Sequence, residues 1–428
     1  MKIDRDVLVA PLLLLLVVSA PAIRPAAADT PDACLSCHLS LDREEDPADR
    51  LFANVEQDVH LKIGLGCAGC HGGDPTAMDD DEAAMSPDRG FRGVPSRREI
   101  PEFCGRCHAD VGFMRRYRPE VQTDQLAQYW TSRHGRLLKQ GQEKAATCID
   151  CHGVHGILPV DDPQAKVYPL NVPATCGRCH ADPDYMAEFG IPTDQLDKYK
   201  QSVHGVALLE RKDTGAPTCN DCHGNHGATP PAVANIAHVC GQCHVNNENL
   251  FRQSHLSQVF EARDLGYCIG CHGKHAIRKP DDRMLDWNGE AVCLRCHRRE
   301  EVQPHEMAAS LKAILDTLRT DVAAAESLVG EAENRGMEVS DLLFKVEDAR
   351  KGLITTRTSI HSFDPAYVAK QAAEGRQAAR AAVAGAHDLL RQWSFRRKGL
   401  LAASLFTTLL IVALYLKLRQ MERTGRDD

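Results

Sequence analysis

Every cysteine in this 428-residue chain lies in the pattern Cys-x-x-Cys-His, which occurs nine times and leaves none of the eighteen cysteines over. The pairs are Cys34/Cys37, Cys67/Cys70, Cys104/Cys107, Cys148/Cys151, Cys176/Cys179, Cys219/Cys222, Cys240/Cys243, Cys268/Cys271 and Cys293/Cys296. The histidines that follow them are His38, His71, His108, His152, His180, His223, His244, His272 and His297. Two thiols three positions apart can both form thioethers to the vinyl groups of one porphyrin, and the next histidine then lies under the iron as its proximal ligand. Nine covalently bound haem c groups are the expected cofactor. Structural zinc wants four ligands per site and no obligatory histidine after the second cysteine. A disulfide framework needs no histidine at all, and a thioredoxin-like pair is expected once, in a βαβ setting.

Between Cys34 and His297 the motifs recur every 21 to 44 residues, separated by stretches poor in aromatics and rich in Gly, Pro, Asp and Asn. So short a segment per motif cannot bury enough apolar side chain to fold alone. The expected fold is therefore mainly α with much irregular loop: an elongated array with haems as its core, followed by a C-terminal helical bundle and one transmembrane helix. The formal charge of −8 argues against nucleic acid as a partner.

Targeting signals frame the chain. Residues 1–28 read as a secretory signal peptide, with an apolar run from Val7 to Ala20 and Ala26-Ala27-Ala28 as cleavage site. Asp4 and Asp6 leave its start less basic than usual, so an uncleaved anchor is the alternative. Residues 29–302 form the expected nonahaem domain, 303–395 a helical bundle or stalk, and 396–428 a membrane anchor with a short tail. Within the last, Gly399 to Leu416 carries no charge and would span roughly 27 Å as a helix, enough to cross a hydrocarbon core. Basic residues flank both ends, so the positive-inside rule is nearly silent. Haem attachment outside the bacterial cytoplasmic membrane decides the orientation instead: haem domain in the periplasm, tail in the cytoplasm.

In the helical region apolar residues return at helical spacing, at Leu311, Ile314, Leu315, Leu318 and Val322, then at Leu342, Leu343, Val346 and Leu353. Gly336 reads as the stop of a first helix, Ser340 as the cap of a second, and Asp364-Pro365 as the start of a third through Val368, Val383, Leu389 and Leu390. These helices are expected to form a small bundle or to pack against the haem domain, acting as a spacer or a dimerising stalk that offers a surface for homo-oligomerisation.

The attachment region is internally repeated. CGRCHAD at Cys104 and Cys176 is followed by TDQL, by YWTSRHG or YKQSVHG, and by a CHGxHG element, a unit of about seventy residues carrying two motifs. A shortened copy starts at Cys240, Cys34 to His71 is a degenerate first copy, and Cys293 opens a half-unit. Nine further histidines precede the helical region, one per motif: His60, His134, His155, His204, His226, His238, His255, His275 and His305. These are the candidate distal ligands, with His361 as substitute. In CHGxH the second histidine is too close to the first to reach the far face of the same porphyrin, so it is assigned to a neighbour. Met78 and Met85 read as solvated linker.

The YxxSxHG and CxxCHGxHG elements resemble those of membrane-associated multihaem c-type cytochromes of anaerobic and metal-reducing bacteria, over roughly residues 34 to 305. The resemblance implies low-potential, mostly bis-histidine haems in anaerobic respiration. It implies an electron-transfer protein between a membrane quinol-oxidising donor and a periplasmic or extracellular acceptor. The chain departs from the small quinol-dehydrogenase branch, whose anchor is N-terminal, so quinol oxidation by this subunit alone is not implied. The rival reading is a multihaem oxidoreductase of the nitrite reductase or hydroxylamine oxidoreductase type with one open iron. Electron transfer ranks ahead of it. Under the rival reading the motif at Cys67, whose CHGGD lacks the second histidine, is where an open iron is expected.

Overall fold

The computed structural model describes residues 32–42, 52, 54–229, 233, 235–289 and 291–424; the proposed signal peptide lies outside them. Among the described residues there is helix, turn and irregular chain but no strand. The chain divides into two compact units, 1–127 with 134–165, and 128–133 with 166–428.

In the first unit the longer helices are Ala33–Asp42, Ile100–His108, Val111–Tyr117 and Arg133–Lys139. Few large apolar side chains are fully enclosed there; Leu138, Ile100 and Val55 are among them. Much of its cohesion is polar. The buried Asp58 carboxylate accepts from the backbone N–H groups of Gly156 and Ile157, each at 2.9 Å, across about a hundred residues of chain. Val59 N–H donates to the Ile157 carbonyl alongside, at 2.7 Å.

The second unit repeats part of this plan and adds a helical hairpin. Helix Val172–His180 copies Ile100–His108, with proline in the first turn of both. The glycine of each CGRCH packs closely on the leucine of its own TDQL: a Cβ on Gly105 or Gly177 would stand 2.5 or 2.4 Å from the Cδ2 of Leu126 or Leu196. That contact explains why the two sequence elements recur together.

Three long helices follow, Val302–Asn334, Ser340–Ser359 and Pro365–Thr424. Gly336 ends the first with φ at 75°, a conformation that favours glycine. Asp364 caps the third, its Oδ1 accepting from the N–H groups of Ala366 (2.9 Å) and Tyr367 (3.2 Å). Ser340, expected as a cap, is instead the first helical residue, and its N–H donates to Glu338 Oε1 at 2.9 Å. The apolar stripes meet in a continuous core of Leu318, Val322, Val329, Leu342 and Val346 with Ala349, Ala372, Ala379, Ala382 and Ala386. Leu343 departs from expectation by facing outward, 46 % exposed. Small residues set the close spacing, closest where Gly352 and Gly375 meet backbone to backbone.

The third helix runs without a break into the apolar run, whose mean hydropathy over eighteen residues is 2.2, with none of that stretch buried. It is a candidate membrane anchor. The far end of the hairpin docks on the attachment region of its own unit. Arg357 makes a two-pronged ion pair with the buried Asp282 (both contacts 3.0 Å), Arg319 adds a contact at 3.6 Å, and Lys312 reaches Asp286 at 3.1 Å.

Candidate functional site

The attachment motifs take the conformation that their spacing requires. Cys67–His71, Cys148–His152, Cys219–His223 and Cys268–His272 are five-residue helices. Cysteines at i and i+3 and the histidine at i+4 therefore share one face. Each helix ends on a glycine with positive φ: Gly72, Gly153, Gly224 and Gly273. Two are opened by a capping box, Thr147 with Asp150 and Thr218 with Asp221. At Cys104 and Cys176 the motif instead closes a nine-residue helix. At Cys240 and Cys293 it lies on 3₁₀ turns.

The two thiols of a motif are not equivalent, although the sequence pattern treats them alike. The first cysteine of every motif is half-buried. Of the second cysteines only Cys107, Cys179, Cys222 and Cys271 are half-buried, whereas Cys37, Cys70, Cys151, Cys243 and Cys296 are exposed. Cys179 lies in the longer helix Val172–His180. None of the eighteen is in a disulfide.

Successive motifs adjoin in chain order within each unit. In the first, Cys34 neighbours Cys67, Cys70 neighbours Cys107, and Cys104 is hydrogen-bonded to Cys148. In the second, Cys176 is hydrogen-bonded to Cys219, Cys222 neighbours Cys240 and Cys243, Cys240 is hydrogen-bonded to Cys268, and Cys271 neighbours Cys293 and Cys296. Arginines inside the motifs strengthen two of these junctions. Arg106 donates to the Cys70 carbonyl at 2.8 Å and Arg295 to the Cys271 carbonyl at 2.9 Å, satisfying the open end of the preceding helix.

The thiol environments divide: most disfavour the thiolate, while those of Cys148, Cys219 and Cys240 favour it, the last lowered to about 7. Burial pushes Cys67, Cys222 and Cys271 up to about 11. Cys34, Cys70 and Cys293 are raised for the same leading reason. Where two thiols touch, the shared hydrogen bond raises one and lowers the other: Cys104 up and Cys148 down, Cys176 up and Cys219 down, Cys268 up and Cys240 down. A redox or zinc-binding cysteine needs a stabilised thiolate. A thioether sulfur never carries charge, so the pockets that raise a thiol suit it.

The histidines are arranged to match. A metal–nitrogen bond of about 2 Å, with the ring centre roughly 1 Å beyond the nitrogen, puts two imidazoles on opposite sides of one metal with centroids about 6 Å apart. Among the described residues, several motif histidines meet a second histidine ring at that spacing. His108 faces His60 at 6.0 Å, His71 faces His155 at 6.4 Å, His244 faces His204 at 6.3 Å, His223 faces His275 at 5.8 Å, and His272 faces His361 at 6.0 Å. The donor set and spacing fit a six-coordinate haem iron. Burial lowers His204, His223, His272, His275 and His361, which keeps these imidazoles neutral and able to ligate.

Outer contacts orient several of the rings. Nδ1 lies 2.8 Å from the Gly93 carbonyl in His71, 3.0 Å from Asp58 in His60, 2.8 Å from Glu301 in His297 and 2.9 Å from the Thr358 carbonyl in His361. With Nδ1 donating outward, Nε2 is left for a metal. Asp58 escaped the sequence reading, although it holds both His60 and the backbone next to His155. Burial works against its ionisation, yet hydrogen bonds from His60 and Ile157 keep its carboxyl below the usual range. The signal lay in the repeat: Asp58 occupies the serine position of SxH. At that position Ser202 donates to the Tyr199 carbonyl at 2.7 Å and accepts from Gly205 N–H at 3.0 Å.

The remaining candidates occupy other settings. His134 and His226 occupy the repeat positions of His204 and His275. His255 follows its serine directly rather than after one residue, and it is exposed at the start of helix His255–Ala262. His238 packs on Tyr267, its ring 4.4 Å away, with Glu248 at 3.7 Å from Nδ1. His305 is exposed against Trp287, 5.1 Å between rings. Met78 and Met85 are exposed, 48 % and 40 %. The motif at Cys67, expected under the rival reading to carry an open iron, has His155 opposite its histidine. The second histidine missing from its own sequence is supplied by the CHGxH of a later motif. The aromatic that faces His38 is instead Phe52, at 5.6 Å.

Comparison with known proteins bears on one segment. Residues 191–297 match the model of the Class III cytochrome C family. The match supports a multihaem electron-transfer cytochrome with covalently bound haem c. No curated protein and no solved structure matches the chain.

Proposed function

We propose that this chain is a membrane-anchored periplasmic electron-transfer protein. It would relay electrons along nine mostly bis-histidine haem c groups, from a membrane quinol-linked donor to a periplasmic or extracellular acceptor. The observation that carries the reading is the set of five imidazole pairs at 5.8 to 6.4 Å, each joining a motif histidine to one outside its motif. Haem c supplies the one-electron couple when bound. The residues that would hold it are the eighteen motif cysteines, the nine motif histidines and, opposite five of these, His60, His155, His204, His275 and His361. Two axial imidazoles leave no open position, which favours outer-sphere transfer over substrate chemistry and lowers the potential relative to a His/Met pair.

The chain's own residues do two things for such transfer. Adjoining motifs hold neighbouring cofactors side by side in sequence order within each unit, and the CHGxH histidines cross-link them. His155 follows the fourth motif yet faces the second, and His275 follows the eighth yet faces the sixth. The match at residues 191–297 and the candidate membrane helix support the same reading.

The test is His361→Ala with His204→Ala as a second site, read by low-temperature EPR with spin quantification on the purified, fully haem-loaded protein. Each substitution should convert one low-spin ferric haem to high-spin while covalent haem content holds. An unchanged spectrum would remove that residue from the ligand set.

A further inference from the structure

We infer that Asp58 is a positioning residue that lowers the potential of the haem at Cys104/Cys107 by holding a negative charge against the outer nitrogen of its distal ligand, His60. This rests on the haem-binding reading above, in which His60 stands opposite His108 at 6.0 Å. Asp58 is buried, 6 % exposed. One of its oxygens, Oδ1, lies 3.0 Å from His60 Nδ1 and accepts from the His60 backbone N–H at 2.8 Å. The other accepts from the N–H groups of Gly156 and Ile157, each at 2.9 Å. A carboxylate only accepts, so Nδ1 carries the proton and Nε2 is left for the iron. Drawing on that proton makes the ring a stronger donor to a metal. A better donor and a nearby negative charge both favour ferric over ferrous iron, and outer hydrogen bonding and burial are two of the means by which a protein sets a haem potential. Burial also leaves the charge weakly screened by salt.

The second unit carries the internal comparison. There Val203 N–H donates to the Ile277 carbonyl at 2.9 Å, as Val59 N–H donates to the Ile157 carbonyl at 2.7 Å in the first. His204 then faces His244 as His60 faces His108. The residue two places before His204 is Ser202, 1 % exposed, whose hydroxyl donates to the Tyr199 carbonyl at 2.7 Å and accepts from Gly205 N–H at 3.0 Å. The backbone clamp thus forms with serine or with aspartate, and what aspartate adds is charge on the ring. Other rings meet a neutral acceptor: His71 Nδ1 lies 2.8 Å from the Gly93 carbonyl and His361 Nδ1 2.9 Å from the Thr358 carbonyl. The second oxygen of Asp58 touches backbone directly after His155, which faces His71. It reaches no ring there, so the haem at Cys67/Cys70 should feel the charge less.

The experiment is a redox titration followed by low-temperature EPR, on the full-length, haem-loaded protein in detergent. The low-spin signal that His60→Ala removes identifies the haem to follow, and the signal that His155→Ala removes identifies its neighbour at Cys67/Cys70. Asp58→Asn should shift the first of these by about tenfold in its reduction equilibrium, the lower end of what an outer-shell partner is worth to a metal site. For one electron that is a rise of about 59 mV. Covalent haem content and the low-spin count should hold, and the neighbour should move less. Ser202→Asp should do the reverse, lowering the midpoint of the haem whose signal His204→Ala removes. An unchanged midpoint in a folded, low-spin Asp58→Asn protein overturns the inference. Should that variant misfold or turn high-spin, Ser202→Asp decides: a lowered midpoint sustains the inference and an unchanged one overturns it. If His60→Ala removes no low-spin signal, the ligand assignment itself fails, and the inference with it.

Discussion

The long helices from Val302 and the attachment region before them hold themselves together by different means. The helices bury a continuous row of leucine, valine and alanine along their shared axis, with Leu315, Leu318, Ala325 and Ala379 at zero exposure. The attachment region encloses scattered single side chains, such as Leu138, Leu208 and Phe251, and relies on capping boxes, buried Asp58 and arginine-to-carbonyl contacts. Its histidine pairs stand about a metal ion apart. The lesson is that helix content says little about what a region needs in order to fold. One region carries its own core, and the other is shaped around something that it must acquire.

The largest expected effect tests that difference directly. Protein made without covalent haem should lose the attachment region to limited proteolysis, yielding a resistant fragment that starts near Val302. Equal resistance of both regions would break the comparison. Within the helices, Gly375→Leu should cost about 3 kcal/mol, the upper range for overpacking, because even a Cβ there would stand 3.0 Å from the Gly352 Cα. Its measure is the thermal midpoint of the helical circular dichroism signal, and an unchanged midpoint would refute the close crossing. Where the two regions meet, Asp282→Ala should cost about 2 kcal/mol, between the values for exposed and buried ion pairs, since Arg357 is half exposed while Asp282 is buried. Urea unfolding followed through haem absorbance reads this docking. The smallest effect, about 1 kcal/mol, belongs to Thr218→Ala, which removes one capping box from the attachment region. The urea midpoint should shift slightly with covalent haem content unchanged.

What was legible in the sequence was local. The cysteine and histidine spacing dictated one helical face, the apolar periodicity marked the long helices, and Gly336 and Asp364 marked their ends. The absence of strands among the described residues followed from segments too short and too polar to build a sheet. What was not legible depends on contacts between distant segments. Nothing near Cys67 signals that His155 stands opposite His71, and the aspartate at the serine position before His60 shows its purpose only when Gly156 and Ile157 fold back onto it. The unequal exposure of the two thiols, with Cys151, Cys243 and Cys296 outermost, is likewise invisible in a pattern that repeats unchanged nine times. His361 was assigned a substitute's place because it lies in the helical region. The docked hairpin brings it to His272, so that region is more than a spacer.

From Pro365 the third helix continues unbroken past Gly399 into the apolar run. The thirty-four residues between those two positions make a rod of about 50 Å at 1.5 Å per residue. On the reading proposed above, with Gly399 at a bilayer surface, such a rod would hold His361 at about that height, and a membrane-bound redox donor would have to reach it there. Shortening the rod by whole helical turns would lower that height while leaving every candidate ligand in place.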